Sequence, residues 1–265
     1  LNLATRVQHG HLDLEFVAIN GRTVLLRERQ QAPLQLVRPF TLDGKDAAVF
    51  IINPTAGVLA HDQFHIHLRV GPGAQVVLLT QTANRIHRME AGQSASQTIH
   101  FEVACGGCLE YYPERTIPFA GSSFSSSAQV FLESGAQFAQ IETLASGRVA
   151  HGEQLAFARL ANQLQVWQDG TLVYLDRWVL QPAQQPLEGL GGWEGGCFLA
   201  SGIFVGPTPA PAIAVEGAAV GQTAHGHLWL RALAKNGPQL DQLVARVRDG
   251  LRQRWFGRGR LVVRR

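Results

Sequence analysis

A chain of 265 residues, 46% hydrophobic and only 16% charged, is too apolar to be disordered and long enough for one large core or two small ones. Three cysteines exclude a secreted disulfide framework, and no apolar run reaches the roughly 18 residues of a membrane-spanning helix. The net charge of +3 is modest, and eight arginines between Arg246 and Arg265 supply most of the excess.

Nothing near Leu1 has the charged segment and apolar core of a secretory leader. With three cysteines and no disulfide framework, a reducing cytoplasm is the expected compartment. Typical soluble domains carry about 25% charged residues, so a surface this bland implies faces covered by partners. The basic C-terminal end suits a solvated helix face and tail. It does not show the aromatic-basic surface motif expected of a nucleic-acid binder.

In chain order, Leu12, Leu14 and Phe16 alternate as on a half-buried strand, Asn20-Gly21 supplies a hairpin turn, and Thr23 to Leu26 begins the returning strand. Pro33 to Phe40 reads as a short strand bounded by prolines, with Asp43-Gly44 as the next turn. Ala48 to Ile52 is a further strand, halted by Asn53-Pro54 because Pro fixes its own φ and holds its predecessor extended. Gly57 permits a backbone turn closed to other residues, and Asp62 then enters the alternating run Phe64, Ile66, Leu68, Val70 at a strand boundary.

A loose repeat follows. Gly73-Ala74-Gln75-Val76 and Gly135-Ala136-Gln137-Phe138 are similar, with Gly106-Gly107-Cys108-Leu109 in the corresponding place between them. Each follows a strand-like run and begins another. Measured from Gly73 through Gly107 to Gly135, the spacing is too uneven for a strict solenoid but fits stacked hairpin-like rungs. The expected fold class is mainly β, a β-helical or layered antiparallel architecture of many short strands over a single domain 1–265, with a generic sandwich or jelly roll as the alternative. Ser122 to Ser127 reads as a loop, and 181–196 and 206–211 as irregular excursions.

The chain closes with an amphipathic helix. Leu240, Leu243, Val244, Val247, Leu251 and Trp255 fall at helical spacing, while Arg246, Asp249, Arg252 and Gln253 lie off that stripe. Pro238 suits its first turn and Gly257 its end.

Few motifs carry chemistry. No phosphate loop, nucleophile elbow, zinc-protease helix or dinucleotide fingerprint is present. Three His-x-His pairs, His9/His11, His65/His67 and His225/His227, each put two imidazoles on one face of a strand. With Asp62 nearby, His65 and His67 approach the ligand set of a cupin-like metal enzyme. Such pairs are weak signals among ten histidines. Cys105-Gly106-Gly107-Cys108 has the spacing of half a zinc site or a redox pair. It lies between strands, has no second pair, and leaves Cys197 alone, so a turn with two incidental thiols is the better reading.

An ordered series of segments resembles the UreD (UreH) family of urease accessory proteins. Pro33-Leu34-Gln35-Leu36-Val37-Arg38-Pro39-Phe40 resembles its opening segment, and Asn53-Pro54-Thr55-Ala56-Gly57 through Asp62 its Asn-Pro-Gly loop. Ala74 to Ala83 resembles a strand of the family, and Leu109-Glu110-Tyr111-Tyr112-Pro113-Glu114 with Ile117-Pro118-Phe119 is the most specific match. Ile141-Glu142 through Gly147-Arg148 to Gly152-Glu153 completes the series. Ala56 and His61 stand where the family has glycine, and His87 where it has tyrosine.

The resemblance implies a β-rich chaperone without enzymatic activity. Its implied partners are apo-urease, a helical UreF-like accessory protein and, through that complex, a nickel-carrying UreG-like GTPase; nucleic acid and membrane are not expected. It implies no tightly bound cofactor, with nickel in transit. A dication that must be released suits carboxylates, and Asp62, Glu110, Glu142 and Asp176 are the expected lining acids. Arg148 and Arg38 are alternative structural partners for Glu142 and Glu110. Arg38, Asn53, Pro54, Gly57, Tyr111, Pro113, Arg148 and Glu153 are the expected structural motif residues.

Overall fold

Alternate residues of a strand face opposite ways, and two burial patterns recur along this chain. One alternates between buried and accessible, as in a sheet with one wet face; the other is buried throughout, as in a sheet covered on both sides. The computed structural model describes residues 7–42, 44–189 and 192–262. In order these form β1 (His9–Ile19), β2 (Arg22–Gln31), β3 (Gln35–Leu36), β4 (Phe40–Leu42), β5 (Asp46–Ile52), β6 (Gln63–Val70), β7 (Gln75–Thr80), β8 (Asn84–Ile86) and β9 (Ala95–Val103). There follow β10 (Cys108–Tyr112), β11 (Thr116–Pro118), β12 (Ser123–Leu132), β13 (Gln137–Ala145), β14 (Arg159–Gln168) and β15 (Thr171–Leu180). Last come β16 (Phe198–Val205), β17 (Ala218–Gln222), β18 (Leu228–Ala234) and helix α1 (Gly237–Arg254).

Among the described residues these strands make two sheets. The first, of seven strands, runs β15-β14-β12-β9-β6-β1-β2; the second, of eleven, has β17-β18-β16-β13-β10-β7-β5-β3 as its main path. In the middle of both sheets the pairing is parallel: β1, β6, β9, β12 and β14 in the first, β5, β7, β10 and β13 in the second. Each rung puts one strand in each sheet, so the protein is mainly β with a solenoid-like arrangement. Antiparallel strands are confined to the ends of the sheets, as in the β1–β2 and β14–β15 hairpins.

The corners explain the repeat. Gly73, Gly106 and Gly135 have φ of 66°, 67° and 75°, a left-handed conformation in which a side chain is strained. A Cβ on Gly106 would lie 3.9 Å from the Gly73 nitrogen, and one on Gly135 would lie 4.0 Å from the Gly106 nitrogen. The stack therefore runs through Gly106, not the Gly107 used to measure the spacing. Hydrogen bonds continue around the bend, with Cys108 N donating to Ala74 O and Gln137 N to Gly107 O, both at 2.9 Å.

Asn20 and Gly21 both have positive φ, as a two-residue hairpin turn requires. Pro33 to Phe40 is not one strand: pairing is confined to β3 and the start of β4, because prolines have no N–H to donate. Asp43 of the expected Asp43-Gly44 turn lies outside the described residues, as do Arg264 and Arg265. Ser123 to Ser127 is part of β12 and not a loop. Phe124, Ala128, Val130 and Leu132 point inward there, and Ser126 takes an inward position without filling it.

The main core lies between the sheets, where Leu12, Leu14 and Phe16 are fully buried against residues such as Val76, Leu109 and Phe138. A second core lies on the outer face of the second sheet. There Val77, Ala139 and Phe204 meet Leu240, Leu243, Val247 and Leu251 of α1. Each of these helix side chains contributes about 1.5–3 kcal/mol by leaving water. Asn236 caps the helix by accepting from Gln239 N at 2.9 Å, and Pro238 lies in its first turn.

One helix residue departs from the sequence reading. Arg252, expected on the solvated face, is 1% exposed and bonds to Glu110 on β10. Arg258 reaches the same carboxylate oxygen at 2.8 Å and lies 3.8 Å from Asp46, while Tyr112 Oη donates to the other Glu110 oxygen at 2.8 Å. Part of the basic end is thus used inside the protein, where a buried carboxylate holds two guanidinium groups.

Removing one member of such a cluster leaves buried charge uncompensated. Glu110→Ala is expected to lower stability by about 3–5 kcal/mol in urea unfolding, against about 1 kcal/mol or less for Arg27→Ala at the exposed pair with Glu15. Equal effects of the two would show that the cluster does not anchor the helix.

Candidate functional site

The inward faces do not fill the space between the sheets completely. A cavity of about 130 Å³ takes its walls from successive rungs, from Ile51 and Asn53 at the β5 end to Leu199 and Ser201 on β16, and includes Tyr111, Pro113 and Glu142. Small side chains such as Ser126 and Ala161 help to leave it open.

Glu142 on β13 stands in register with Ser201 on β16, and Ser201 with Arg231 on β18. From the facing sheet, Asn162 Nδ2 donates to Glu142 Oε2 at 3.1 Å. Asp176 on β15 accepts from Ser201 Oγ at 3.2 Å and from Arg231 Nη2 at 2.7 Å. The two sheets are therefore joined across the interior by a polar cluster containing two acids. Glu142 itself lines the cavity. Burial raises the Glu142 carboxyl above its ordinary range; the Asn162 hydrogen bond opposes this and the Asp176 charge reinforces it. Burial, and then the nearness of Glu142, also push the Tyr111 hydroxyl up.

The other two expected acids lie elsewhere. Asp62 is fully buried, and its two oxygens accept from Gln8 N at 3.0 Å and Leu59 N at 2.8 Å, which holds the turn into β6. Glu110 faces α1 on the far side of the second sheet. Arg148 and Arg38 partner neither Glu110 nor Glu142. Arg148 forks onto Glu153, with Nε 2.8 Å from Oε2, and lies over the Phe119 ring at 4.5 Å. Chiefly through that hydrogen bond from Arg148, the Glu153 carboxyl is held down at about 2. Arg38 is exposed between β3 and β4.

The Asn53–Gly57 loop forms one end of the cavity wall. Asn53 Oδ1 accepts from Thr55 N at 3.1 Å, the side-chain turn expected of Asn before Pro54. Gly57 has φ of 141°, and a Cβ there would meet the Arg85 carbonyl oxygen at 2.4 Å, so this position admits only glycine. His87 Nε2 lies 3.0 Å from the Ala56 carbonyl, and its ring packs edge-on to Phe119. His61 has φ of 68°, a left-handed conformation uncommon for a residue other than glycine.

The histidine pairs separate into two groups. Parallel pairing of β1 and β6 sets His11 beside His65, and pairing of β6 and β9 sets His67 beside His100, all on the outer face of the first sheet. Asp62 does not join them, because its carboxylate is committed to the backbone. The acids near His67 are Asp13 and Glu102, which the sequence reading missed. The signal was the alternation of His100 and Glu102 along β9, legible only with the correct rung register. His225 and His227 are remote from this group. His227 is buried, without a hydrogen-bond partner at either ring nitrogen, and burial pushes its pKa down. Cys105 is exposed and Cys108 buried, both as free thiols, and burial pushes the Cys108 thiol up to about 12, away from redox or metal chemistry.

Comparison with known proteins gives a consistent result. The family model described as UreD urease accessory protein matches residues 8–265. A urease accessory protein UreD from Deinococcus radiodurans is 42% identical over 277 residues, covering 100% of this chain and 98% of that protein. A urease accessory protein UreD 2 from Streptomyces griseus is 38% identical, covering 74% of this chain and 65% of its own length. One from Herpetosiphon aurantiacus is 35% identical, covering 71% and 66%.

Two outcomes follow from the local chemistry. Because the folded pKa of Glu142 is raised, its ionised form costs stability at neutral pH. Glu142→Gln should raise the melting temperature there, with the gain shrinking as pH falls through the raised value and vanishing below the ordinary 4.5. A gain independent of pH would mean that the charge is not its origin. His61→Gly relieves about 1–2 kcal/mol of left-handed strain and costs about 0.4–1 kcal/mol of unfolded-chain entropy, so a net gain of about 0.5–1 kcal/mol is expected in thermal melts. A loss of stability would show that the imidazole makes a compensating contact.

Proposed function

The chain belongs to the UreD urease accessory protein family, and we propose that it serves urease maturation as a non-enzymatic scaffold that passes nickel through its interior. The observation that supports this reading is Glu142, an acid on the wall of a cavity between two sheets, with Asp176 bonded into the same polar cluster. A dication in transit needs ligands that hold it weakly, and isolated carboxylates, amides and hydroxyls do so where a closed cage of Cys and His would trap it.

Competition between proton and cation at Glu142 gives the route a means of control. Burial shifts the carboxyl towards its neutral form, so a cation entering the cavity competes with a proton for it. Asn162 keeps the carboxylate aimed into the cavity during that exchange, and Arg231 pairs with Asp176 at the cluster's edge. Asp62 and Glu110 serve the route indirectly in this scheme, by fixing the turn and the helix that shape its walls.

The expected partners are apo-urease, a UreF-like helical protein and, through that complex, a UreG-like GTPase, all in the cytoplasm. A charged fraction of 16% supports faces that are covered in an assembly. Among the described residues no helix is long and apolar enough to cross a membrane.

The test is nickel loading of urease in a reconstituted system. Glu142→Gln combined with Asp176→Asn should reduce the loading rate at least about tenfold, the equivalent of about 1.4 kcal/mol, while the accessory complex still assembles on gel filtration. A folded, assembled double variant that loads nickel at the native rate would rule out these acids as the route.

A further inference from the structure

The outer face of the first sheet carries a second constellation, on the opposite side of the sheet from the cavity. Leu12 and Leu14, Ile66 and Leu68, and Ile99 and Phe101 point inward from β1, β6 and β9, so the residues between them point outward. Parallel register then places Asp13, His67 and His100 side by side at one level, and Glu15, Arg69 and Glu102 at the next. Strands about 4.8 Å apart bring such side chains into contact. The His67 and His100 rings lie 5.2 Å apart.

Both rings aim at one oxygen. Glu102 Oε1 is 3.3 Å from His67 Nε2 and 3.1 Å from His100 Nε2, and the possible ligand atoms of these residues all lie within 4.8 Å of one another. In a tetrahedral site with metal–ligand bonds of about 2.0–2.2 Å, neighbouring ligand atoms are about 3.3 Å apart. The side chains thus stand close to the separations such a site requires. The other Glu102 oxygen accepts from Arg69 Nε at 2.9 Å, which fixes the carboxylate and leaves Oε1 for the rings. His100 packs on Phe131 at 5.0 Å, and Phe131 stacks on Trp167, so the imidazole has a wall behind it.

His67 presents a proton-counting problem. Its Nδ1 lies 3.0 Å from Asp13 Oδ1 while its Nε2 faces Glu102. Each nitrogen faces an acceptor, and a neutral ring has one proton to donate. A cation on Nε2 resolves this, because Nδ1–H can then donate to Asp13 in the carboxylate–histidine–metal arrangement that orients many metal ligands.

We propose that His67, His100 and Glu102 form a binding site for a borderline divalent cation of the zinc type, with Asp13 as the positioning residue for His67. The three side chains are half-buried, and a groove of about 630 Å³ beside His100 and Glu102 leaves the fourth position open to water. The site stands independently of the interior nickel route, since its ligands share no residue with that cluster.

The test uses the whole protein, stripped with a chelator, dialysed and titrated with Zn²⁺ by calorimetry and with Co²⁺ by visible absorption. One equivalent of Zn²⁺ is expected, with Co²⁺ giving the intense bands of four-coordinate geometry. His100→Ala and Glu102→Gln should each weaken binding at least about tenfold, and Asp13→Asn about 10–100-fold, while Glu142→Gln leaves it unchanged. Thermal melts accompany each variant, and the near-isosteric Glu102→Gln carries the decision if His100→Ala fails to fold. Absence of stoichiometric binding, or binding equal to wild type in folded Glu102→Gln, overturns the proposal.

Discussion

The hydrogen-bonded continuity of successive rungs is the constraint on which the rest of this structure depends. In a parallel stack each strand's register is set by the one before it, and the ladder here continues through the corners as well as along the strands. The left-handed glycines at 73, 106 and 135 make this possible, because a regular corner lets every rung begin at the same height. Once the register is fixed, the positions of side chains across the sheet follow by counting. Glu142 meets Ser201, and His67 meets His100, because the backbone leaves no other pairing.

The second sheet bears a different burden. Covered by the first sheet on one face and by α1 on the other, it must be apolar on both. Its exceptions are costly and specific. Glu110 lies in a strand buried at every residue, and its charge is tolerated only because Arg252, Arg258 and Tyr112 converge on it. The first sheet faces solvent with histidines and ion pairs. Apolar side chains surface at its edges, Leu26 being 60% exposed on β2 and Leu175 52% exposed on β15.

Features governed by local rules were legible in the sequence. Leu12, Leu14 and Phe16 alternate because they line a core, Asn20-Gly21 turns because both residues accept positive φ, and the α1 stripe follows helical spacing. The serines of β12 were misread because a small polar residue on an inward position resembles a loop when the cavity it borders is unknown. Asp62 and Glu110 could be recognised as significant acids, but most of their partners lie outside any local pattern. Asp62 accepts from Gln8 N, 54 positions away, as well as from nearby Leu59 N, and Glu110 adds to nearby Tyr112 two guanidinium groups from 142 and 148 positions away. The His67–His100–Glu102 group has no local signal, because it depends on the rung register. Measuring the repeat from Gly107 puts Phe101 beside His67 and turns His100 away, whereas the corner glycine at 106 aligns the two imidazoles.

The lateness of Arg252 and Arg258 has a consequence for how the protein is made. They are synthesised 142 and 148 residues after the carboxylate they neutralise. While the nascent chain emerges from the ribosome, the rungs can stack in order, each on its predecessor, yet Glu110 has neither guanidinium partner and Val77, Ala139 and Phe204 have no helix over them. The outer face of the second sheet is therefore sticky and electrostatically unfinished until the segment carrying α1, Arg252 and Arg258 leaves the exit tunnel. A translational pause or premature stop in that stretch would release a chain with most of its rungs but an uncovered apolar sheet, the kind of species that aggregates or engages a folding chaperone.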